Sequence, residues 1–212
     1  MISAVLADDH IVVRTGIKML LDADPDIEVV AEAAEGTEAY SLVARYKPDV
    51  LLLDISMPPG QSGLIACEKM AKDFPDTKVI ILTMFAEPEY LLYTLRGGAA
   101  GYVLKNSTPE QLRQAVHDVA NGGSYIHPTV VELLAKHAAS GSNDPSIQQL
   151  SCRELEILQL IARGHTNKEI SKMMFLSVKT VEAHRSRIYK KLHLKTRADA
   201  VDYALRHKLL DL

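Results

Sequence analysis

Four polar positions in this chain each follow a short apolar run. Ala4–Ala7 leads into Asp8 and Asp9, Val50–Leu53 into Asp54, Val79–Leu82 into Thr83, and Gly101–Leu104 into Lys105. Each run is continuous rather than alternating, which is the pattern of a strand buried on both faces of a parallel sheet. In an open parallel sheet the carboxyl ends of the strands form the crevice where ligands sit. The pattern therefore predicts that three carboxylates, a hydroxyl and an ammonium meet at one sheet edge. Carboxylates this close repel unless a cation joins them, and Mg2+ is the usual hard-oxygen choice. An Asp in such a cluster, facing a Lys and a hydroxyl, is suited to carrying a phosphoryl group.

The elements that must position these residues alternate along residues 1–121. Strands are expected at Ala4–Ala7, Ile27–Ala31, Val50–Ile55, Lys78–Thr83 and Gly101–Leu104. Helical patterns lie between them at 10–22, 36–46, 62–73 and 87–97, with a last one at 108–121. Such alternation predicts a doubly wound α/β fold with parallel strands. Boundary residues agree: Gly97-Gly98 closes a helix, and Thr108-Pro109-Glu110 is an N-cap with Pro at the first helical position.

The net charge of −3 hides a division. Residues 1–149 hold 11 basic and 20 acidic side chains, a net of −9, whereas residues 150–212 hold 13 and 7, a net of +6. An acidic body with a basic tail domain implies two tasks, the second on a polyanion. The two cysteines, Cys67 and Cys152, are far apart and have no metal-ligand spacing, so both are expected as fillers in a reducing compartment. The start of the chain does not resemble a signal peptide, and no apolar run reaches the ~20 residues that span a bilayer. A soluble cytoplasmic protein with no membrane partner is the expectation.

Residues 122–149 are expected to be a linker, with one connecting helix over Pro128–Ser140 and a turn-rich tract, Gly141–Ser146, after it. From Leu150 the pattern is all-helical. Ser151-Cys152-Arg153-Glu154 has the form of a capping box, and its helix runs through Ala162 to Gly164. Thr166-Asn167-Lys168-Glu169 is a second box. A third helix starts at Ser177 and ends near Leu192, and a fourth runs from Thr196 to about His207. The middle two have helix-turn-helix proportions.

Here the resemblance to a known family becomes specific. Residues 1–121 resemble a two-component receiver domain, through Asp8, Asp9, Asp54, Thr83, Tyr102 and Lys105 and the segment Leu53–Pro58. Residues 150–212 resemble the LuxR-type helix-turn-helix domain, through Leu150–Leu158, Ala162–Gly164, Asn167–Ile170 and Val178–His184. The whole chain is similar to NarL/FixJ-family response regulators. The resemblance implies a flavodoxin-like receiver with a five-stranded parallel sheet in the order 2-1-3-4-5, followed by a four-helix DNA-binding domain. It implies that Asp54 accepts a phosphoryl group from a sensor histidine kinase. It also implies Mg2+ held by Asp8, Asp9, Asp54 and the backbone carbonyl of Ser56, with Lys105 pairing with the phosphoryl oxygens. Thr83 is the implied switch, and Tyr102 would turn inward into the space Thr83 vacates. One departure is Met84, where the family usually has a small residue. A side chain of that size is expected to hinder access to Asp54. Ser56 and Phe85 occupy positions that tune dephosphorylation in the family.

In the third C-terminal helix, Val178, Val181, Ile188 and Leu192 recur at helical spacing and should face the core. Lys179, Glu182, Arg185, Ser186 and Lys190 should face outward, as a helix in the major groove requires. Lys179, Arg185, Arg187 and Lys190 are candidate phosphate contacts, Asn167 and Lys168 candidate backbone contacts, and Thr180 and Ala183 complete the DNA-facing set. Glu182 either accepts from a cytosine amino group or pairs with Arg185. His184 belongs to the family pattern as a packing or phosphate-side residue. The last helix carries the dimer contact in the family.

These features predict a transcription factor activated by phosphorylation that dimerises on promoter DNA, with RNA polymerase as a further expected partner. It is not expected to be an enzyme beyond accepting and losing its phosphoryl group. The acidic receiver is expected to mask the recognition helix until Asp54 is modified. Helix 1 and helix 5 are the candidate dimer face. Two alternatives stand beside this. An α/β aspartyl-phosphate phosphatase usually has a second Asp two residues after the nucleophile, where this chain has Ser56. A DNA-binding protein with a vestigial receiver would not need the intact acidic set. The stretch Ser56–Leu64 is similar to regulators that respond to oxygen and nitrate.

Overall fold

The computed structural model describes residues 1–55, 57, 63–84, 86, 88–139, 150, 152–174, 176–207 and 209–210, apart from the side chains of 64, 88, 89, 137–139 and 152. The chain divides into two compact units, Met1–Ser142 and Asn143–Leu212.

In the first unit, strands β1 (Ile2–Ala7), β2 (Ile27–Ala33), β3 (Val50–Asp54), β4 (Lys78–Thr83) and β5 (Gly101–Leu104) alternate with helices. The helices are α1 (Ile11–Asp22), α2 (Gly36–Tyr46), α3 (Gly63–Asp73), α4 (Pro88–Arg96) and α5 (Pro109–Ala120). The described strands are parallel, in the order β2-β1-β3-β4-β5 with a sixth strand, β6 (Tyr125–Ile126), beside β5. The central strands are apolar because both faces are covered. On one face Leu6, Leu52, Ile80 and Val103 pack with Ile17 and Leu21 of α1 and Leu112 and Val116 of α5. Helices α2, α3 and α4 pack on the other face.

The sheet has six strands where five were expected. Gly122, at φ +82, turns the chain after α5 and brings β6 (Tyr125–Ile126) alongside β5, with Ile126 opposite Tyr102. The His127 amide donates to the Tyr102 carbonyl at 2.9 Å, and α6 (Pro128–Ala139) follows and packs against α4. The segment expected to be a linker thus adds a strand and a helix to the first unit, and its tract 140–149 lies outside the described residues. A two-residue strand has no periodicity to detect.

The second unit consists of α7 (Cys152–Ala162), α8 (Asn167–Met173), α9 (Val178–Lys191) and α10 (Arg197–Arg206). Its core is built from Leu155, Leu158, Ile161, Ile170, Val181, Ile188, Ala200 and Ala204. Thr166 with Glu169, and Thr196 with Asp199, form complete capping boxes, and the Ser177 hydroxyl caps α9 by accepting from the Thr180 amide. Ser151 lies outside the described residues. Val178, expected in the core, is 41% exposed. It is the first residue of α9, a turn before the packed row that begins at Val181. Among the described residues no helix is long and apolar enough to cross a membrane.

Gly63 opens α3 with its amide donating to the Ile55 carbonyl at 2.9 Å. A Cβ at this position would fall on the Asp54 carbonyl oxygen. Gly63→Ala must push the start of α3 away from the end of β3. It should cost ~1–3 kcal/mol of stability, as overpacking does, measured by urea unfolding of the full chain.

Candidate functional site

The strand register brings the predicted residues together. Ala7 pairs with Leu53, so Asp8 continues β1 beside Asp54 at the end of β3. Asp54 pairs with Leu82, and Thr83 with Leu104, which places Thr83 and Lys105 on the same edge. The Lys105 ammonium lies 2.8 Å from Asp8 Oδ2 and 2.9 Å from Asp54 Oδ2. The Lys105 amide also donates to the Thr83 carbonyl at 2.8 Å. Asp8, Asp54 and Thr83 are buried. Asp9 is partly exposed and pairs with His10 Nδ1 at 2.7 Å.

Burial works to lower the Lys105 pKa, and hydrogen bonds to Asp8 and Asp54 outweigh it, so the net direction is upward and the ammonium stays charged. Three carboxylates face one ammonium, which leaves an excess of negative charge. Asp8, Asp9, His10 and Asp54 each place a ligand atom within 4.8 Å of the others. This donor set fits a hard divalent cation, and its carboxylates suit Mg2+. The Ser56 carbonyl, predicted to be a further ligand, lies outside the described residues.

Thr83 and Tyr102 share a sheet face, since Leu82 and Val103 face α1 and α5. Tyr102, the residue expected to turn inward on activation, is fully buried. Its register opposite Ile81 places the ring on the α4 side of the sheet. Met84, expected to crowd the pocket, is 68% exposed. Phe85 lies outside the described residues. Asp9 is not the cap of α1, since His10 holds that position and Asp8 accepts from the His10 amide at 2.9 Å.

In the second unit, Lys179, Glu182, Ala183, Arg185, Ser186, Arg187 and Lys190 are exposed on α9, and Thr180 is partly exposed. Asn167 and Lys168 open α8, with Lys168 exposed. Arg185 stacks over the Tyr189 ring at 5.1 Å, and among the described residues no ion pair joins it to Glu182. Burial, and then Arg187, lower the pKa of half-buried His184, which favours the neutral ring expected of a packing residue.

Several functional supports were missed in the sequence. Arg153 of α7 donates to the Met174 carbonyl at 2.7 Å and so pins the turn between α8 and α9. Lys191 pairs with buried Glu154 at 2.6 Å and ties the end of α9 to α7. In the first unit, Arg14 and Glu32 stand behind Asp8. Each pairing joins residues from different elements, so no local spacing announces it. His10 was legible only as the residue after two Asp.

Burial pushes the Glu156 carboxyl up to about 7, against the pull of Arg153. Its folded pKa exceeds the unfolded 4.5, so its ionisation opposes folding as pH rises between those values. Glu156→Gln should stabilise the second unit by ~2 kcal/mol at pH 8 and by well under half of that at pH 5. Amide exchange of α7 in the full chain would measure the difference.

Comparison with known proteins agrees with this geometry. Residues 4–117 match the model of the response regulator receiver domain, and residues 148–204 match that of the bacterial regulatory proteins of the luxR family. The oxygen regulatory protein NreC of Staphylococcus carnosus is 53% identical over 214 residues, covering 98% of each chain. Its namesake in Staphylococcus aureus is 53% identical over 213 residues, again covering 98% of each. RcsB from Salmonella enterica serovar Typhimurium, solved on promoter rprA with phosphomimetic BeF3−, superposes with a TM-score of 0.73 at 29% identity, covering 95% of this chain and 97% of that one. ChrA, a response regulator of a heme-sensing two-component system, gives a TM-score of 0.56 at 34% identity, covering 99% and 98%. The chain belongs to the NarL/FixJ family of two-component response regulators, with a receiver domain followed by a LuxR-type DNA-binding domain.

Proposed function

We propose that a sensor histidine kinase phosphorylates this chain on Asp54, and that the phosphorylated form dimerises on promoter DNA and regulates transcription. The observation that carries the reading is the Lys105 ammonium bridging Asp8 and Asp54 within a carboxylate cluster. Phosphoryl transfer breaks the P–N bond of the kinase phosphohistidine as the O–P bond to Asp54 forms. The Asp54 carboxylate supplies the electron pair, and no general base is needed. Asp8, Asp9 and Asp54 would hold Mg2+, which would supply charge neutralisation. Lys105 offers its ammonium to the transferred oxygens, and the Thr83 hydroxyl donates to them. The same reading makes the chain a phosphoryl acceptor that dephosphorylates itself and has no other substrate.

The exposed basic side chains of α9 support phosphate contacts, and Glu182 and Ala183 stand where base edges would be read. RcsB is described as dimers bound to DNA, which supports the same assembly here. Ile11, Val12 and Met19 are exposed on α1 and give the receiver an apolar face for a second copy, with α5 beside it. The relatives' designation, oxygen regulatory protein, supports an oxygen-linked input. A cytoplasmic location and contact with RNA polymerase belong to the same proposal.

Acetyl phosphate with Mg2+ should label the chain, and Asp54→Ala should remove the label, read on a phosphate-affinity gel. Labelling retained on another residue would overturn the assignment. Arg185→Ala should weaken binding of beryllofluoride-treated protein to its operator and reduce the salt slope by about 1, measured by fluorescence anisotropy across salt concentrations.

A further inference from the structure

We propose that Arg14 is a positioning residue for the phosphoacceptor pocket, acting through the backbone carbonyl of Asp8. The inference rests on the reading of that pocket given above. Asp8 carries one of the cluster's carboxylates and is held from every side. Its amide donates to the Ala33 carbonyl of β2 at 3.1 Å, and its carboxylate meets the Lys105 ammonium and the His10 amide. Its carbonyl is held by Arg14 of α1, whose Nη1 donates to it at 2.5 Å. The guanidinium is fixed in turn by Glu32 of β2, with Nε 3.3 Å from Oε2. Lys18 Nζ holds the other Glu32 oxygen at 3.2 Å.

Helix α1 begins after His10, whose side chain makes no capping hydrogen bond. The turn before it is closed from within by the Asp8 carboxylate, which accepts from the His10 amide at 2.9 Å. Arg14, in the first turn of α1, folds back and holds the same turn from the helix side, through the Asp8 carbonyl. Its side chain is only 15% exposed, so the bond is shielded from water. The planar fork spans two acceptors at once, which a Lys at the same position does not match. The guanidinium reaches the pocket through the Asp8 backbone carbonyl and not through a carboxylate of the cluster, so its contribution there is geometric. Arg14 sets where the two neighbouring carboxylates stand.

The test separates order in the metal site from chemistry. Full-length wild type, Arg14→Lys, Arg14→Met and Glu32→Gln are titrated with MgCl2 by calorimetry, well below their unfolding temperatures. Phosphorylation by acetyl phosphate is then followed as a function of Mg2+. Arg14→Lys and Arg14→Met should raise the Mg2+ dissociation constant about tenfold, as loss of one charge-assisted hydrogen bond implies. Glu32→Gln, which keeps an acceptor for Arg14, should raise it about threefold. The half-saturating Mg2+ for phosphorylation should shift by the same factors, while the rate at saturating Mg2+ stays within about twofold of wild type. Unchanged Mg2+ affinity in Arg14→Lys and Glu32→Gln would overturn the inference, as would a fall in maximal rate with half-saturation unmoved. Failure of wild type to label on Asp54 would instead sink the reading of the pocket itself.

Discussion

The structure depends on an electrostatic imbalance at one sheet edge. Asp8 and Asp54 are buried carboxylates sharing a single ammonium, with Asp9 beside them. A group of this kind is stable only where the backbone forbids it to spread. The parallel register supplies that restraint, because β1, β3, β4 and β5 end on the same side and their apolar cores lock the spacing. The excess charge makes the site receptive to a cation and to a phosphoryl group whose oxygens replace a carboxylate as partner of Lys105. A balanced ion pair at the same place would be inert.

The second unit uses charge differently. Its helices are short, and helices of such length are marginal alone. They are fixed to one another by Arg153 on the α8–α9 turn and by Lys191 on Glu154. These contacts set the angle at which α9 presents its exposed basic side chains. Lys191 is consumed in this scaffold, whereas its neighbour Lys190 remains at the surface. Adjacent residues of one type thus serve rigidity and recognition separately, by which side of the helix they occupy.

Much of this was legible in the sequence. Continuous apolar runs marked the buried strands, and the polar residue after each run marked the pocket. The capping box read at Thr166 marked a helix start, because a box is a four-residue signal with a local mechanism, and the helix starts read at Thr108 and Thr196 form boxes in the structure as well. Val178 misled because periodicity assigns a face and not a depth, and a helix end extends past its neighbours. β6 was invisible because its pairing depends on the turn at Gly122 and on an open neighbour in β5. Arg14 and Glu32 lie on α1 and β2 and meet only when the sheet has formed.

The small β6 strand also bears on how the chain is divided. It hydrogen-bonds to β5, and α6 directly after it lies on α4. A fragment ended at the close of α5 would strip both covers at once. The bared margin of β5 would offer unsatisfied amides and carbonyls to any extended neighbour, which is the usual seed of sheet-to-sheet clumping. The natural seam between the two halves therefore falls beyond Ala139, and material cut there keeps its border sealed.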